Sequence, residues 1–214
     1  RKLLGIGILK IEKTMSNKEE FLHSIRESLK KRSKTPYPKI PTYEKENVDL
    51  KAVFETNLKL AAVDFYNVSC IEEAQKIMKE KLPDTKIVCS ATDEWKSNKD
   101  IHKVVRPQDL EDVDLGIFRA EFGVAEMGMV WVTEKSLKVN AIGFLSQHLA
   151  VLLDPADITE NMHTAYNKPG LFDVNYGCFV MGPSATADIG AVLVRGAQGA
   201  KSLTLFFLNK KSKL

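Results

Sequence analysis

Two short segments combine glycines with side chains that bind or act on small ligands. The first is Gly182-Pro183-Ser184-Ala185-Thr186-Ala187-Asp188. Gly182 permits a sharp turn or a close ligand, and Ser184 and Thr186 carry hydroxyls suited to helix capping or to an oxygen-rich ligand. We predict a helix over 186–195, whose free N–H groups and dipole favour phosphate or carboxylate. The alternative is structural: a hydroxyl caps the helix and Asp188 stabilises its dipole.

The second segment, residues 120–129, places a carboxylate between two glycines. Glu126 lies between Gly123 and Gly128, just before an apolar run that predicts a buried strand. A carboxylate at this place serves as a base, a nucleophile or a hydrogen-bond acceptor. The alternative is a charged turn in which the glycines supply only backbone geometry.

A third segment completes a family resemblance. Ala125-Glu126-Met127-Gly128-Met129-Val130, the Gly182–Asp188 run with Ile189, and Gly196-Ala197-Gln198-Gly199 before a closing apolar strand together resemble the LUD-domain family, which includes the lactate utilisation protein C group. The resemblance covers roughly residues 50–209. Its most specific part is the Gly-Pro-Ser-x-Thr-x-Asp-Ile run.

The resemblance implies a fold, a pathway and a set of site residues. The fold is α/β of the NagB/RpiA/CoA-transferase type, a twisted and mainly parallel sheet flanked by helices. The role is oxidation of L-lactate to pyruvate beside iron–sulfur partner proteins, which hold the clusters, so this chain is expected to bind no cofactor itself. Glu126 becomes the candidate catalytic residue, and the candidate ligand-binding residues are Gly128, Gly182, Ser184, Thr186, Asp188 and Gln198.

The chain also departs from the family pattern. Met127 and Met129 stand where relatives usually have threonine, and Gln198 stands where they usually have histidine. Glutamine keeps the hydrogen bonding of histidine but does not titrate near neutral pH. These changes predict a different or a weaker ligand.

Two other functions remain open. The first is a CoA-transferase or sugar-phosphate enzyme, with Glu126 as nucleophile or base and the turn at Gly182 holding phosphate. The second is a non-catalytic module that binds a small ligand or regulates a partner, which the replaced threonines and histidine favour.

The elements around these segments predict an α/β domain behind a helical arm. An amphipathic helix over 17–31, capped by Ser16 with Glu19, and a Pro-rich linker at 35–41 form an arm that docks on the body or on a partner. Residues 1–14 precede the start-like Met15-Ser16 and are expected to be a non-native or disordered extension. Residues 15–47 hold the arm and linker, and residues 48–214 hold the α/β domain.

Within that domain, helices and strands are predicted to alternate. We predict helices over 50–58, 186–195, from a Ser69–Glu72 capping box to residue 81, and from Asp157 to about residue 166. The predicted strands are 61–66, 86–90, 103–105, 115–118, 129–133, 148–153, 176–181 and 202–208. Alternation and nearly continuous apolar runs predict a mainly parallel sheet covered on both faces. A lone histidine, His148, at the start of one strand is more often structural.

Composition limits the classes of binding partner and the cellular compartment that we expect for this protein. The 44% hydrophobic and 28% charged content is typical of a globular protein. Cys70, Cys89 and Cys178 lack the Cys-x-x-Cys spacing of a metal site, which favours free thiols in a reducing cytoplasm. Basic residues concentrate in the first 45 positions without interleaved aromatics, so no nucleic-acid partner is expected. No apolar run approaches the roughly 18 residues that a membrane span needs.

Overall fold

A computed structural model of the chain describes residues 17–31 and 48–210. The chain divides into two units, Arg1–Tyr43 and Glu44–Leu214. The predicted extension at 1–14, the capping residue Ser16 and the Pro-rich linker lie outside the described residues. In the first unit, helix α1 spans Asn17–Lys30, close to its predicted bounds. Its apolar face is exposed at Phe21, Ile25 and Leu29, and docking of the arm stays a prediction.

The described part of the second unit mixes short helices with strands. Helices are α2 (Leu50–Leu60), α3 (Ile71–Lys81), α4 (Glu134–Leu137), α5 (Ile142–Leu145) and α6 (Met162–Tyr166). Strands are β1 (Asp64–Asn67), β2 (Val88–Ser90), β3 (Leu115–Arg119), β4 (Phe122–Val124), β5 (Met129–Thr133), β6 (His148–Leu153), β7 (Ile158–Thr159), β8 (Gly177–Val180), β9 (Ala185–Thr186), β10 (Val194–Arg195) and β11 (Ser202–Phe207).

A five-stranded parallel sheet is the centre of this unit. Its strand order is β1-β11-β6-β3-β2, and every neighbouring pair is parallel. β6 is buried from Leu149 to Leu153, because both faces of the sheet are covered. The prediction of a mainly parallel sheet flanked by helices is therefore confirmed. Since β1 and β2 occupy opposite edges, the connection through α3 crosses the whole sheet.

The two faces of the parallel sheet pack against different layers. On one face, Ala74 and Met78 of α3 join a cluster with Ile117 and Phe206. On the other face, α2 contributes Phe54 to a larger cluster with residues of β3, β6 and β11. The α2 helix fits there because Asp49 caps it and its apolar residues recur on one side.

A smaller second sheet has the order β7-β4-β5-β8 and contains antiparallel pairs. It is held by an aromatic cluster, in which the rings of Trp131 and Phe179 lie 4.6 Å apart and Phe122 packs beside both. β4 lies in a segment where no strand was predicted. It forms because its buried residues pair with β5 and β7. Its sequence pattern alone does not show this pairing.

The predicted helix over 186–195 is wrong, because these residues form a β-hairpin. β9 and β10 pair antiparallel, with Thr186 opposite Val194. The N–H of Ser184 donates to Ala200 O at 2.9 Å, and the N–H of Gly196 donates to Ser184 O at 2.9 Å. Gly190 has a φ of +66° at the reversal, and a glycine inside a helix is unfavourable by about 1 kcal/mol relative to alanine. Long-range backbone pairing therefore replaces the local helical preference.

Three smaller predictions also need correction. The predicted strand at 103–105 is replaced by a 3-10 turn at Ile101–Lys103, whose first turn Asp100 caps. The predicted helix from Asp157 begins instead at Met162, capped by Asn161, because residues 158–159 pair with β4 as β7. Cys70, and not the predicted Ser69, occupies the N-cap of α3, and the N–H and hydroxyl of Ser69 donate to the carboxylate of Glu73.

Candidate functional site

Two glycines predicted to bind a ligand pack against the C-terminal end of α2. Gly128 has a φ of +63°, and a Cβ there would lie 2.7 Å from the carbonyl carbon of Asn57. Gly182 has a φ of +74°, and a Cβ there would lie 2.5 Å from Ala61 O. Both positions need the left-handed backbone and the missing side chain of glycine. The two segments that carry the sequence signature thus converge on one helix turn.

Glu126 lies exposed in the turn between β4 and β5. Its Oε2 accepts a hydrogen bond from Met162 N at 3.2 Å, and its main-chain oxygen accepts from Asn57 Nδ2 at 3.0 Å. These bonds tie the turn to the start of α6 and to α2. Glu126 does not line either of the clefts described below, and its catalytic role stays a prediction.

Thr186 and Asp188 belong to the β9–β10 hairpin. The hydroxyl of Thr186 donates to the carboxylate of Asp188, which is itself exposed. Because no helix follows Gly182, the helix dipole that was expected to bind an anion at this turn is absent. The anion site in its predicted form is therefore wrong.

Gly182, Ser184 and Gln198 nevertheless line one cleft, which we name the hairpin cleft. Its volume is about 420 Å³. The lining residues come from α5, β6, β8 and its flanks, the hairpin and the segment before β11: Gly143, Phe144, Leu149, Tyr176, Cys178, Phe179, Val180, Met181, Gly182, Pro183, Ser184, Ala185, Gln198, Gly199 and Ala200. The structure thus brings together three of the predicted ligand-binding residues.

A second cleft lies where the parallel strands end, and we name it the carboxyl-edge cleft. In open α/β sheets, ligands bind outside the carboxyl ends of the strands. Its volume is about 330 Å³, and its lining follows β2, β3 and β11 and includes α4: Ala91, Thr92, Asp93, Arg119, Ala120, Glu121, Lys135, Ser136, Lys138 and Lys210.

Arg119 gives this cleft a fixed wall. Its Nε and Nη2 form a fork onto the Glu94 carboxylate at 2.5 and 2.7 Å, and its Nη1 donates to Leu208 O at 3.0 Å. The two side chains are only 13% and 27% exposed, so water screens the pair weakly. The bonds join the ends of β3 and β11 and hold this wall of the cleft in one geometry.

Two further charged residues are also held in place. Glu121 Oε1 accepts from the hydroxyls of Thr133 and Ser136, while no bond to Oε2 is found within the described residues. Lys210 Nζ pairs with Asp157 at 2.6 Å, and its N–H donates to Asp154. Burial opposes ionisation of Asp154, but backbone hydrogen bonds from Lys210 and Ala156 outweigh it and lower the Asp154 pKa.

Lys135 and Lys138 supply cations that are not committed to a partner in the described part of the chain. Both are exposed at the mouth of the cleft. Lys138 has φ +61° and ψ −56°, and Val139 N donates to Leu137 O at 2.6 Å, which defines a γ-turn of the rare positive-φ kind. Backbone strain of this kind persists where surrounding structure enforces it and clusters at functional sites.

The chemistry of the carboxyl-edge cleft favours an anionic ligand. Its lining contains four cationic and two anionic side chains, with hydroxyls at Thr92 and Ser136. Ammonium groups and hydroxyls are suited to carboxylate or phosphate oxygens. No sequence motif marked this site. The usable signal is the position of Lys135, two residues after the strand predicted at 129–133.

His148 lies at the opposite, amino-terminal edge of the parallel sheet. Its Nδ1 lies 2.7 Å from the Ser202 hydroxyl on the neighbouring strand. Burial lowers the His148 pKa, nearby Lys201 lowers it further, and Asp114 partly opposes them. These contacts give the ring a structural place in the sheet. No group of three or more His, Cys, Asp or Glu side chains suited to a metal ion occurs within residues 17–31 and 48–210.

Comparisons with known proteins agree with this architecture. The sequence profile of the LUD domain matches residues 13–208. A solved structure of a DUF162 family protein from Deinococcus radiodurans superposes with a TM-score of 0.56 at 11% identity, over 75% of this chain and 96% of that one. At this identity the likeness supports the fold alone. No curated protein matches the chain. Within the described ranges, no helix has the length and apolarity needed to cross a bilayer.

Proposed function

We propose that this chain, which belongs to the LUD-domain family, is a cytoplasmic component of L-lactate utilisation. In this role it holds the substrate for iron–sulfur partner proteins. The family profile covers residues 13–208, and the family is associated with lactate utilisation. The observation that carries the proposal is the pair of uncommitted ammonium groups, Lys135 and Lys138, in the carboxyl-edge cleft.

Lactate offers a carboxylate and, on the adjacent carbon, a hydroxyl. In the proposed arrangement Lys135 and Lys138 bind the carboxylate by charge-assisted hydrogen bonds. Glu121 accepts the hydroxyl proton at Oε2, because its Oε1 already accepts from Thr133 and Ser136. A carboxylate within reach of a hydroxyl is the arrangement that a general base requires.

The oxidation also defines what the partner must do. Conversion of L-lactate to pyruvate breaks the O–H bond and the C–H bond on the hydroxyl-bearing carbon, and it releases two protons and two electrons. We assign the electrons to iron–sulfur clusters of partner proteins. Glu121 receives the hydroxyl proton, the proton of the C–H bond passes to water, and the present chain positions the substrate.

A reconstitution with the iron–sulfur partners tests this division of labour. The chain is co-expressed with cysteine-rich iron–sulfur proteins, and cluster reduction is followed by visible absorbance after addition of L-lactate. We expect one stable complex whose clusters bleach with L-lactate and much more slowly with D-lactate. Partners that never co-purify with the chain, or clusters that bleach equally fast without it, would contradict the proposal.

Matched variants locate the substrate in that assay. Lys135→Gln with Lys138→Gln removes both ammonium groups and is expected to raise the L-lactate concentration needed for half-maximal bleaching. Lys103→Gln is the control, because Lys103 is 85% exposed and lies outside both clefts. L-lactate binding without cluster reduction in an intact complex would identify a binding module and overturn the substrate-holding role.

A further inference from the structure

We propose that the hairpin cleft is a second ligand site and that it binds an uncharged heteroaromatic ring. The proposal concerns residues that the lactate site does not use, and it does not depend on lactate being the substrate. It explains why Gly182, Ser184 and Gln198, singled out by the sequence, lie together away from the charged cleft.

The lining of the hairpin cleft disfavours a charged ligand. None of its 15 lining residues is Asp, Glu, Lys, Arg or His. A charged group that enters such a cleft loses water and gains no opposite charge, which is strongly unfavourable. The ligand class differs in this respect from the carboxylate expected at Lys135 and Lys138.

The size and surface of the cleft suit a flat ring. Its volume of about 420 Å³ exceeds that of the carboxyl-edge cleft and lies in the usual range for small-molecule sites. Phe144, Tyr176 and Phe179 supply aromatic surface, and Leu149 and Met181 supply aliphatic surface. Phe144 keeps 47% of its surface exposed, a large fraction for an aromatic side chain. Aromatic side chains pack favourably against the faces and edges of other rings.

Two polar side chains give the cleft a hydrogen-bonding edge. The Gln198 amide presents one hydrogen-bond acceptor and two donors, and the Ser184 hydroxyl can both donate and accept a hydrogen bond. Neither side chain has a hydrogen bond to another described residue, whereas the Ser184 main chain is fixed by Ala200 and Gly196. A heteroaromatic ring with a donor beside an acceptor matches this pair. Apolar walls with a few placed polar groups are typical of ligand sites.

The cysteines provide a built-in reporter of occupancy. Cys178 lines the cleft and is partly accessible. Cys70 is exposed and lies outside the cleft, so it serves as an internal control. Burial raises the pKa of the third thiol, Cys89, to about 11, which keeps it unreactive near neutral pH.

Alkylation with iodoacetamide, followed site by site with mass spectrometry, tests the proposal on the full chain. The probes are nicotinamide, adenosine and riboflavin, with inorganic phosphate as the charged counter-probe. At ten times its dissociation constant, a ring that occupies the cleft slows Cys178 alkylation about tenfold by mass action. Cys70 is expected to react at an unchanged rate. Protection of Cys178 by phosphate would overturn the assignment to an uncharged ligand.

Binding of the same probes is measured independently, by riboflavin fluorescence and by calorimetry for the other two rings. Gln198→Leu keeps the side-chain size, removes the hydrogen bonds and is expected to weaken binding by about fivefold to thirtyfold. Lys135→Gln, in the other cleft, should leave the affinity unchanged. Absence of binding by all three rings at millimolar concentration overturns the proposal, as does equal weakening by both variants.

Discussion

The carboxyl-edge cleft and the hairpin cleft differ in charge and in the way that the chain builds them. The first is lined by side chains after three parallel strands and from α4, and it carries four cations. The second is lined by the glycine-rich excursion between β8 and β11 and carries no charge. One cleft is suited to an anionic ligand, and the other to an uncharged ring.

The difference shows that a sequence signature and a charged site need not coincide. In the signature, Gly128 and Gly182 allow two turns to pack on the last turn of α2. The two cations of the carboxyl-edge cleft without a described partner come from a stretch without any motif, where Lys135 and Lys138 flank Ser136 and Leu137. Packing explains the glycines. The lysines reach the cleft because α4, which follows β5 of the second sheet, lies beside the ends of the parallel strands.

The largest effect should come from Gly182→Ala, which tests whether this glycine serves packing. A Cβ would lie 2.5 Å from Ala61 O at a φ of +74°. Strain and overlap together should lower the unfolding free energy by about 3 kcal/mol, and the melting midpoint by roughly 6–12 °C. Differential scanning calorimetry measures both.

The matched control is Gly190→Ala, at a φ of +66° with no atom within 4 Å of the added Cβ. It should lose only about 1 kcal/mol from backbone strain. Equal losses in the two variants would show that contact with α2 is not what requires glycine at position 182.

A somewhat smaller loss is expected from Arg119→Met, which removes the fixed wall of the carboxyl-edge cleft. Glu94 would keep its charge in a partly buried place, and urea unfolding should show a loss of about 2–3 kcal/mol. Replacing both partners, as Arg119→Met with Glu94→Leu, should recover much of that loss. No loss in the single variant would mean that the pair does not hold the strand ends together.

Lys138→Gly should change stability and binding in opposite directions. Glycine tolerates the γ-turn at φ +61°, so the unfolding free energy should rise by about 0.5–1 kcal/mol. The affinity for L-lactate should fall because the ammonium group is lost. Lys138→Gln keeps the strain and removes the charge, so it should lower affinity without raising stability. A gain in affinity in either variant would contradict the role given to Lys138.

The smallest effect is a pH dependence from His148, outside both clefts. Its pKa is lower in the folded state than the unfolded value of about 6.5, so protonation favours unfolding. Above about pH 6.5, His148 is neutral in both states and adds no pH dependence to the unfolding free energy. As the pH drops from about 6.5 through the lowered folded pKa, the unfolding free energy should fall. Lys81, Asp84, Asp114 and Lys201 line the adjoining cleft and set the local field.

Thermal unfolding between pH 7.5 and pH 5 measures this dependence. His148→Gln should show a shallower loss than the unchanged chain, since it removes the group that protonates. Carboxylates with lowered pKa values, such as Asp114, act at lower pH and leave this window largely to histidine. An identical profile for the variant would show that His148 is not the titrating group.

The central sheet could be predicted because its strands are buried on both faces. Continuous apolar runs at 148–153 and 202–208 have no competing interpretation as surface helices, and both strands were found there. The segment 186–195 could not be resolved in the same way. Its hairpin depends on backbone hydrogen bonds that join Ser184 to Gly196 and Ala200. Local helical propensity takes no account of bonds between residues so far apart.

The two clefts were predictable to different degrees for the same reason. Gly182 and Ser184 belong to one local motif, and the family resemblance added Gln198, so sequence alone indicated these residues of the hairpin cleft. The carboxyl-edge cleft requires residues near 92, 119, 135 and 210 to meet, and this follows only from the strand order. Tertiary topology, which a single sequence does not show, creates the charged site.

Calorimetric titration of L-lactate tests the central claim most directly. The unchanged chain is compared with Lys135→Gln/Lys138→Gln and with Gln198→Leu, each confirmed as folded by its melting curve. We predict that the double lysine variant binds L-lactate about tenfold more weakly or worse, because two charge-assisted contacts are lost, and that Gln198→Leu binds as the unchanged chain does. Unaltered affinity in the lysine variant, or loss of binding in Gln198→Leu, would contradict the assignment of the carboxylate to the carboxyl-edge cleft.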